Sequence, residues 1–564
     1  MDEIESRNTR WPPQWLLRPR LGVPALTLLV AAFIIGPDNI AFWRELASVS
    51  RVGDAGGWPF AAATAVLLVS ALALLLSLFA FRWLYKPFLI AILLTAAVVG
   101  YFMGTYGVVV DDTMILNTLN TDVSEVHGLL NPALYWHLFV YWLLPSALIL
   151  WVQIKRGVWW RQALVRVAFV VVMAVVAFAA LASHYKTFSL TSRAHRELRL
   201  YINPTYAIYS AMEVAYGQAA AANHPLVKIG MDAHRSPAAD ERQQRKIVIL
   251  VVGETTRAAN WGLSGYRRHT TPELAALDHL LNFPDAHSCG TSTAISVPCM
   301  FSYTTREDFD VGRASYTENL LDLLQRAGVT VLWLENQEGG CKGVCERVPT
   351  VDMRKLRIPG VCGDDNCLDS VFLHGLRKRI KSTSGDLLLV LHSMGSHGPK
   401  YFKRYPEAFR VYTPTCNTNR PQQCSRQSLI NSYDNTIRYI DHVLAALIDL
   451  LKGFAGQADT ALVYLSDHGE SLGEHGIYLH GFPYLIAPDE QTHIPMILWM
   501  APGFVQDSGL TRACARRQTR KRVGHDHLFS TVMGLMDVES QLYDPNLDIL
   551  APCRGPAGGD ANNR

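Results

Sequence analysis

The sequence predicts a two-part protein: an α-helical transmembrane domain of five spans, then an α/β domain built on a mostly parallel central sheet. Three observations carry this. Hydrophobic residues make up 49% of the 564 residues and charged residues only 18%, yet the long apolar runs crowd into the first third. All ten cysteines lie after residue 288. Beyond residue 243, short segments rich in Val, Ile and Leu alternate with helical periodicity, as do parallel strands buried on both faces and the helices that cover them.

The length suggests two to four domains, and the pattern divides the chain into 1–184 (transmembrane), 185–243 (membrane-surface helices and linker) and 244–564 (α/β domain outside the membrane). Five segments approach the ~20 residues that cross a bilayer: 22–43, 58–80, 87–108, 132–153 and 163–184. Gly36-Pro37-Asp38-Asn39 interrupts the first, which predicts a helix with a bent exit. Spans that continue beyond it argue against a cleaved signal peptide. Arg7, Arg10, Arg18 and Arg20 precede the first span; Arg82 and Lys86 follow the second; Lys155, Arg156 and Arg161 follow the fourth. The loop after the third carries Asp111, Asp112, Asp122 and Glu125 without Lys or Arg. Positive charge stays inside, so the amino terminus is expected in the cytoplasm and everything after about residue 185 outside.

Cysteine usage agrees with that address. Ten cysteines confined to one half, at 289, 299, 341, 345, 362, 367, 416, 424, 514 and 553, read as disulfides in an oxidising compartment. In a Gram-negative cell that compartment is the periplasm. Their unequal spacings do not suit a zinc ribbon, and oxidised sulfur leaves metal binding to oxygen and nitrogen. A net charge of +3 does not favour nucleic acid as a partner.

In the acidic external loop, Met114, Asn117, Thr121 and Glu125 recur at helical spacing. They form either a solvated connector helix or a polar floor for a lipid headgroup. From 185 to 243, basic and aromatic residues (Arg193, Arg196, Arg199, Tyr201, Tyr206, Tyr209) suit amphipathic helices on the membrane surface. The exposed stretch 237–244 reads as a boundary. Strands are then expected at 247–252, 329–334, 387–391, 461–465 and 495–500, and helices at 318–327, 368–380 and 428–451.

Ligands in such sheets gather at the carboxyl ends of strands, and the chemistry-bearing residues fall there. Glu254 follows one strand, His392 ends a second, and Asp467-His468 follows a third. Two carboxylates and an imidazole suit a zinc-type cation. Each alone could be a capping carboxylate or a loop hydrogen-bond pair; together they point to a metal site. Cys289-Gly290-Thr291-Ser292-Thr293 offers hydroxyls at a helix start, where backbone N–H groups receive phosphate, with Cys289 and Cys299 placed to clamp the loop. A cation beside a hydroxyl lowers its proton affinity and makes a nucleophile. Lys342, within Cys341-Lys342-Gly343-Val344-Cys345, suits phosphate oxygens; His397 and His480 suit proton donation or a second cation. His475 and His493 read as structural, and Glu470 and Glu474 as either.

These motifs resemble the phosphoethanolamine transferases of Gram-negative inner membranes, the family that decorates lipid A and includes mobile colistin-resistance enzymes. The resemblance rests on Val-Val-Gly-Glu-Thr-Thr-Arg at 251–257, Ser-Cys-Gly-Thr-Ser-Thr-Ala at 288–294, Ser-Val-Pro-Cys-Met-Phe at 296–301, Cys-Lys-Gly-Val-Cys at 341–345 and Ser-Asp-His-Gly-Glu-Ser-Leu-Gly-Glu at 466–474. It implies an alkaline phosphatase/sulfatase-like catalytic domain, with zinc held by Glu254, Thr293, Asp467 and His468, and Thr293 as the residue that becomes phosphoethanolamine-modified. It further implies that Lys342, His397 and His480 meet the phosphoryl group or a second zinc, with His392 close by. Asn117, Thr121 and Glu125 would bind the ethanolamine headgroup. Disulfides Cys289–Cys299, Cys341–Cys345, Cys362–Cys367 and Cys416–Cys424 follow the family, leaving Cys514 and Cys553 to each other.

Phosphatidylethanolamine is then the donor and lipid A the expected acceptor, for a monomer among membrane lipids, with polymyxin resistance as the outcome. Lipopolysaccharide core or periplasmic glucan as acceptor, a sulfatase-like hydrolase or phosphoglycerol transferase on the same fold, and a zinc-dependent sensor without turnover are the alternatives. Between Trp333 and Lys342 the chain reads Leu-Glu-Asn-Gln-Glu-Gly-Gly-Cys, longer than the family pattern. No substrate contact is therefore carried over to Asn336, Gln337 or Glu338.

Overall fold

The computed structural model describes residues 18–50, 57–81, 83–119, 129–155, 157–222, 224–237, 239, 242–363 and 366–554. Two compact units form: 1–105 with 131–209, and 106–130 with 210–564.

The first unit is helical. Among the described residues, four helices are long and apolar enough to cross a membrane: Gly57–Leu78, Tyr85–Tyr106, Pro132–Trp151 and Trp159–Ser183. A fifth span results if Val23–Ile35 and Ile40–Val49, bent by 59° across their break, count as one. The expected interruption causes the bend. Gly36 sits so close to the preceding turn that a Cβ would lie 2.8 Å from the Ala32 carbonyl oxygen, and Pro37 has no N–H to continue the ladder. Within Pro132–Trp151, residues Phe139–Leu143 widen to a π-turn; Pro145 follows at once, and the wider turn takes up the missing donor and the ring's bulk. A short helix, Tyr185–Ala194, and a 3-10 turn, Arg196–Tyr201, follow the last span.

The second unit is an α/β sandwich. Its eight-stranded sheet comprises β1 (Arg245–Gly253), β2 (Leu280–His287), β3 (Thr330–Glu335), β4 (Thr350–Asp352), β5 (Leu387–His392), β6 (Ala458–Ser466), β7 (His493–Met500) and β8 (Val523–Gly524). They stand in the order β8-β2-β7-β6-β1-β5-β3-β4. Only β7 runs antiparallel to its neighbours β2 and β6; the other pairings are parallel. The pleat explains why the central strands are apolar throughout: Val248, Leu250 and Val252 enter one core, while Ile247, Ile249 and Val251 enter the other.

Three strands, β2, β4 and β8, were not expected from the sequence. Asn282, Pro284 and Asp285 mask β2 as a loop, and the others have only three and two residues. The helix expected at 368–380 is broken in two. A 3-10 turn, Asp369–Leu373, is followed by Gly375 at φ +73° and a separate helix, Leu376–Ser382. The helix expected at 318–327 is Leu320–Arg326, closed by a capping box between Asn319 and Asp322. The long helix Arg426–Lys452 has Ser425 as its N-cap.

Five disulfides join Cys289–Cys299, Cys341–Cys345, Cys362–Cys367, Cys416–Cys424 and Cys514–Cys553.

Candidate active site

Register builds the centre of the site. β1 and β6 are adjacent and parallel, with Gly253 opposite Ser466, so the residues that follow, Glu254 and Asp467, emerge side by side. The backbone then locks them. Asp467 N–H donates to the Gly253 carbonyl at 2.9 Å, and Thr255, at φ +56°, donates its N–H to Asp467 Oδ1 at 3.1 Å. Gly253 is required here, because a Cβ would lie 2.6 Å from the Tyr464 ring. Tyr433 holds the Thr255 carbonyl at 2.7 Å.

Thr293 opens the helix Thr293–Met300, and its Oγ1 lies 3.2 Å from Glu254 Oε2 and 3.4 Å from His468 Nε2. His468 Nδ1 is 2.8 Å from the Gly469 carbonyl; that nitrogen therefore carries the proton, and Nε2 presents a lone pair. His468 Nε2 stands 3.3 Å from Asp467 Oδ2 and 3.6 Å from Glu254 Oε1. All four residues are buried. One ligand atom each from Glu254, Asp467 and His468 falls within 4.8 Å of the others.

Electrostatics give the fit to a cation. Burial, then the neighbouring Asp467 carboxylate, pushes Glu254 up to about 7; burial likewise raises Asp467 and lowers His468 to about 3. Asp467 Oδ2 is buried without a hydrogen-bond partner. Two crowded carboxylates, an orphaned oxygen and an imidazole lone pair are costly by themselves. A divalent cation relieves all of them, and the oxygen and nitrogen donors suit zinc.

Histidines line the same region. His480 is 4.4 Å from His468 and 5.6 Å from His397, ring to ring. His480 Nδ1 meets Glu470 Oε2 at 2.9 Å, a contact that orients the His480 ring. Burial, then the Arg404 guanidinium, with smaller contributions from His480, His468 and Lys342, holds His397 well below the usual range. His392 ends β5 opposite Val252. Burial opposes its charge, but Glu335 at 3.0 Å, with Glu254 and Asp467 beyond, raises its pKa. Glu474 instead pairs with Arg257 at 3.0 Å. His493 stacks on His287 and bonds the Pro284 carbonyl at 2.7 Å.

Two hydrogen bonds close the loops on each other. Gly481 N–H donates to the Thr291 carbonyl at 2.8 Å, and Thr291 Oγ1 donates to the Phe482 carbonyl at 2.6 Å. A chamber of about 780 Å³ adjoins the Thr293 helix; Ala294, Pro298, Lys342, Asp112, Leu116 and Glu213 line part of it. The helix Asp112–Leu119 packs on Thr293–Met300, and Asn117 lies on it, half-buried. Thr121 and Glu125 lie outside the described residues. Asn336 is committed elsewhere, to the Cys367 carbonyl and Asp369, and Glu338 faces Arg404 at 3.9 Å.

Sequence reasoning missed His525. It is buried, accepts from Cys289 N–H at 3.1 Å through Nδ1, and donates through Nε2 to the Ser466 carbonyl at 2.9 Å. It thus clips the Thr293 loop to the Asp467-His468 loop. No spacing rule could have found it. Glu335 and Glu470, the partners of His392 and His480, were readable only as carboxylates near motifs.

Comparison with known proteins agrees with this architecture. A sulfatase family model matches residues 246–538, and a model described as phosphoethanolamine transferase EptA/EptB matches residues 68–219. The phosphoethanolamine transferase EptA of Escherichia coli K12 is 40% identical over 546 residues, covering 96% of this chain and 98% of that protein. The phosphatidylethanolamine transferase Mcr-1 of Escherichia coli is 38% identical over 529 residues, covering 91% and 94%. The integral membrane lipooligosaccharide phosphoethanolamine transferase A of Neisseria meningitidis superposes with a TM-score of 0.92 at 38% identity, over 95% of this chain and 100% of that one. With matches that run from the membrane helices through the sulfatase-like domain, the chain belongs to the phosphoethanolamine transferase family.

Proposed function

We propose that this enzyme transfers phosphoethanolamine from phosphatidylethanolamine to a phosphate of lipid A through a phosphothreonine at Thr293. The observation that carries the reading is the position of Thr293 Oγ1, at a helix start and within 3.5 Å of both Glu254 and His468. The choice of acceptor draws support from the Neisseria meningitidis relative, a lipooligosaccharide phosphoethanolamine transferase.

Glu254, Asp467, His468 and Thr293 would hold one zinc ion, with His397 and His480 available to a second. When bound, zinc lowers the proton affinity of a neighbouring hydroxyl and offsets phosphoryl charge. The chain's own residues do the rest. Thr293 Oγ1 gives its proton to Glu254 Oε2, 3.2 Å away, and attacks phosphorus in line with the bond to diacylglycerol. As the Oγ–P bond forms, the P–O bond to glycerol breaks. His480, oriented through Nδ1 by Glu470, protonates the departing alkoxide; His397, kept neutral by burial and Arg404, stays a hydrogen-bonding group. Lys342 stands by the phosphoryl oxygens, and Asn117, Thr121 and Glu125 take the ammonium group. A lipid A phosphate then attacks the phosphothreonine: the new P–O bond forms as the Oγ–P bond breaks, and Thr293 Oγ1 takes back the proton held by Glu254.

Residues 1–184 would anchor the protein in the inner membrane with a cytoplasmic amino terminus, 185–243 would link, and 244–564 would act as a monomer in the periplasm. A cell surface made less negative in this way binds polymyxin-like cations more weakly.

The test is Thr293→Ala in cells, followed by mass spectrometry of lipid A. Both the added headgroup and the covalent protein intermediate should vanish; modification that persists rules out Thr293 as nucleophile. A free hydrolysis product or a glycerol phosphate adduct from the unaltered protein would favour the hydrolase or phosphoglycerol-transferase reading.

A further inference from the structure

The helical unit contains a cavity that the transfer chemistry does not use. It measures about 370 Å³, within the range of small-molecule sites, about 300–1,000 Å³. Phe42 and Leu46 form one wall, Phe60 and Leu68 a second, and Phe188 a third. Phe60 and Phe188 pack ring to ring at 4.9 Å. From Phe60 to Leu68 the helix rises about 12 Å, so the apolar walls run down a span of the membrane unit and not merely across its end.

The rim is of a different kind. Thr191, Ser192, Arg196 and Arg199 stand there, on the short helix and 3-10 turn after the last span. A 3-10 turn has three residues per turn, so residues three apart lie directly above one another. Arg196 and Arg199 therefore present their guanidinium groups from one side. Both are exposed, and neither forms an ion pair with a described residue. The nearby acid, Glu197, is taken by His195 at 2.9 Å. Two forked donors on one face, beside two hydroxyls, match the oxygens of a phosphodiester. Basic pockets between membrane helices recognise lipid headgroups by the same physics.

We propose that this cavity binds one glycerophospholipid of net negative charge, an acyl chain between Phe42, Phe60, Leu68 and Phe188 and its phosphate on Arg196 and Arg199. The ligand is separate from the reacting donor: every residue of the nucleophile and metal cluster belongs to the other unit of the chain, and none lines this cavity. The inference therefore does not depend on the transfer mechanism.

The test uses the full chain, purified in detergent, stripped of lipid and titrated with phosphatidylglycerol, phosphatidylethanolamine or phosphatidylcholine of identical acyl chains. Native mass spectrometry counts bound lipid, and thermal melting reports its effect. The expected result is one tightly held phosphatidylglycerol, bound about tenfold more tightly than either zwitterionic lipid. Arg196→Ala with Arg199→Ala should bring the three lipids within twofold of one another, while Arg196→Lys with Arg199→Lys keeps the preference. Leu68→Trp, which fills the cavity, should weaken the tight phosphatidylglycerol site both in the otherwise unaltered chain and beside Arg196→Lys with Arg199→Lys. Equal binding of all three lipids by the unaltered chain, or a preference that survives the double alanine change, overturns the proposal. So does a preference for phosphatidylethanolamine, which would make the cavity a donor site.

Discussion

His525 joins two loops that are far apart in the chain: its Cys289 contact spans 236 residues, and both ring nitrogens are used. A neutral ring is required, one nitrogen accepting and the other donating. Replacing it with Ala strands a buried N–H and a buried carbonyl, at a cost of about 2 kcal/mol or more. His525→Ala should lower kcat at least tenfold, with KM for phosphatidylethanolamine much less affected, because Thr293 drifts while the headgroup contacts stay. His525→Gln, a neutral amide with one acceptor and two donors, should recover part of kcat; a merely structural filler would not show that rescue. Burial also pushes His525 down to about 4. The unfolded chain takes up this proton near the usual histidine value of about 6.5. The stability contributed by the neutral ring is thus complete above about 6.5 and lost as pH falls toward 4. Thermal melts across that window should fall less steeply for His525→Gln than for the unaltered protein.

At the level of elements, the disulfides divide by purpose. Cys514–Cys553 closes a separation of 39 residues, and Cys341–Cys345 one of only 4. Loop entropy alone gives about 4 kcal/mol for the first and about 2 kcal/mol for the second. Removing Cys514–Cys553 should therefore lower the thermal midpoint more. Removing Cys341–Cys345 should damage activity more, because Lys342 sits within its ring at φ +50°, a backbone state that a relaxed loop would leave. Comparing melting and transfer rates for the two double Cys→Ala variants checks both. An equal loss of activity would mean that Lys342 does not need its bridge.

For the whole molecule, the sheet is held by its own strands and cores: β1, β5 and β6 are paired along their lengths, with apolar cores on both faces. Metal is thus expected to serve chemistry and local order rather than the fold. Chelation should abolish transfer while circular dichroism stays native, and added zinc should restore activity. A chain that unfolds on chelation would contradict this. Removing the cation also leaves Glu254, Asp467 and His468 with the buried-charge penalty described above, so a modest drop in melting temperature is expected together with the loss of activity.

Much of this was readable in one dimension, because some physics is local. Membrane spans announce themselves by length and apolarity, the bend at Gly36-Pro37 by its residues, and central strands such as 247–252 by burial on both faces. Glu254, His392 and Asp467-His468 could be placed at one sheet edge because each directly follows or ends such a strand. Other features depend on partners distant in sequence. β2 is a strand because β7 and β8 flank it, despite Asn282, Pro284 and Asp285. Leu368 to Ile380 is not one helix because Gly375 turns left-handed. By itself, the sequence determined the membrane helices, the parallel core and the residue types gathered at the strand ends of the candidate site, since hydrophobic period and strand ends are written in neighbouring residues. Only the tertiary structure decided that Thr293 faces Glu254, that Glu470 orients His480 and that His525 fastens the loops, because hydrogen bonds across hundreds of residues leave no periodic trace.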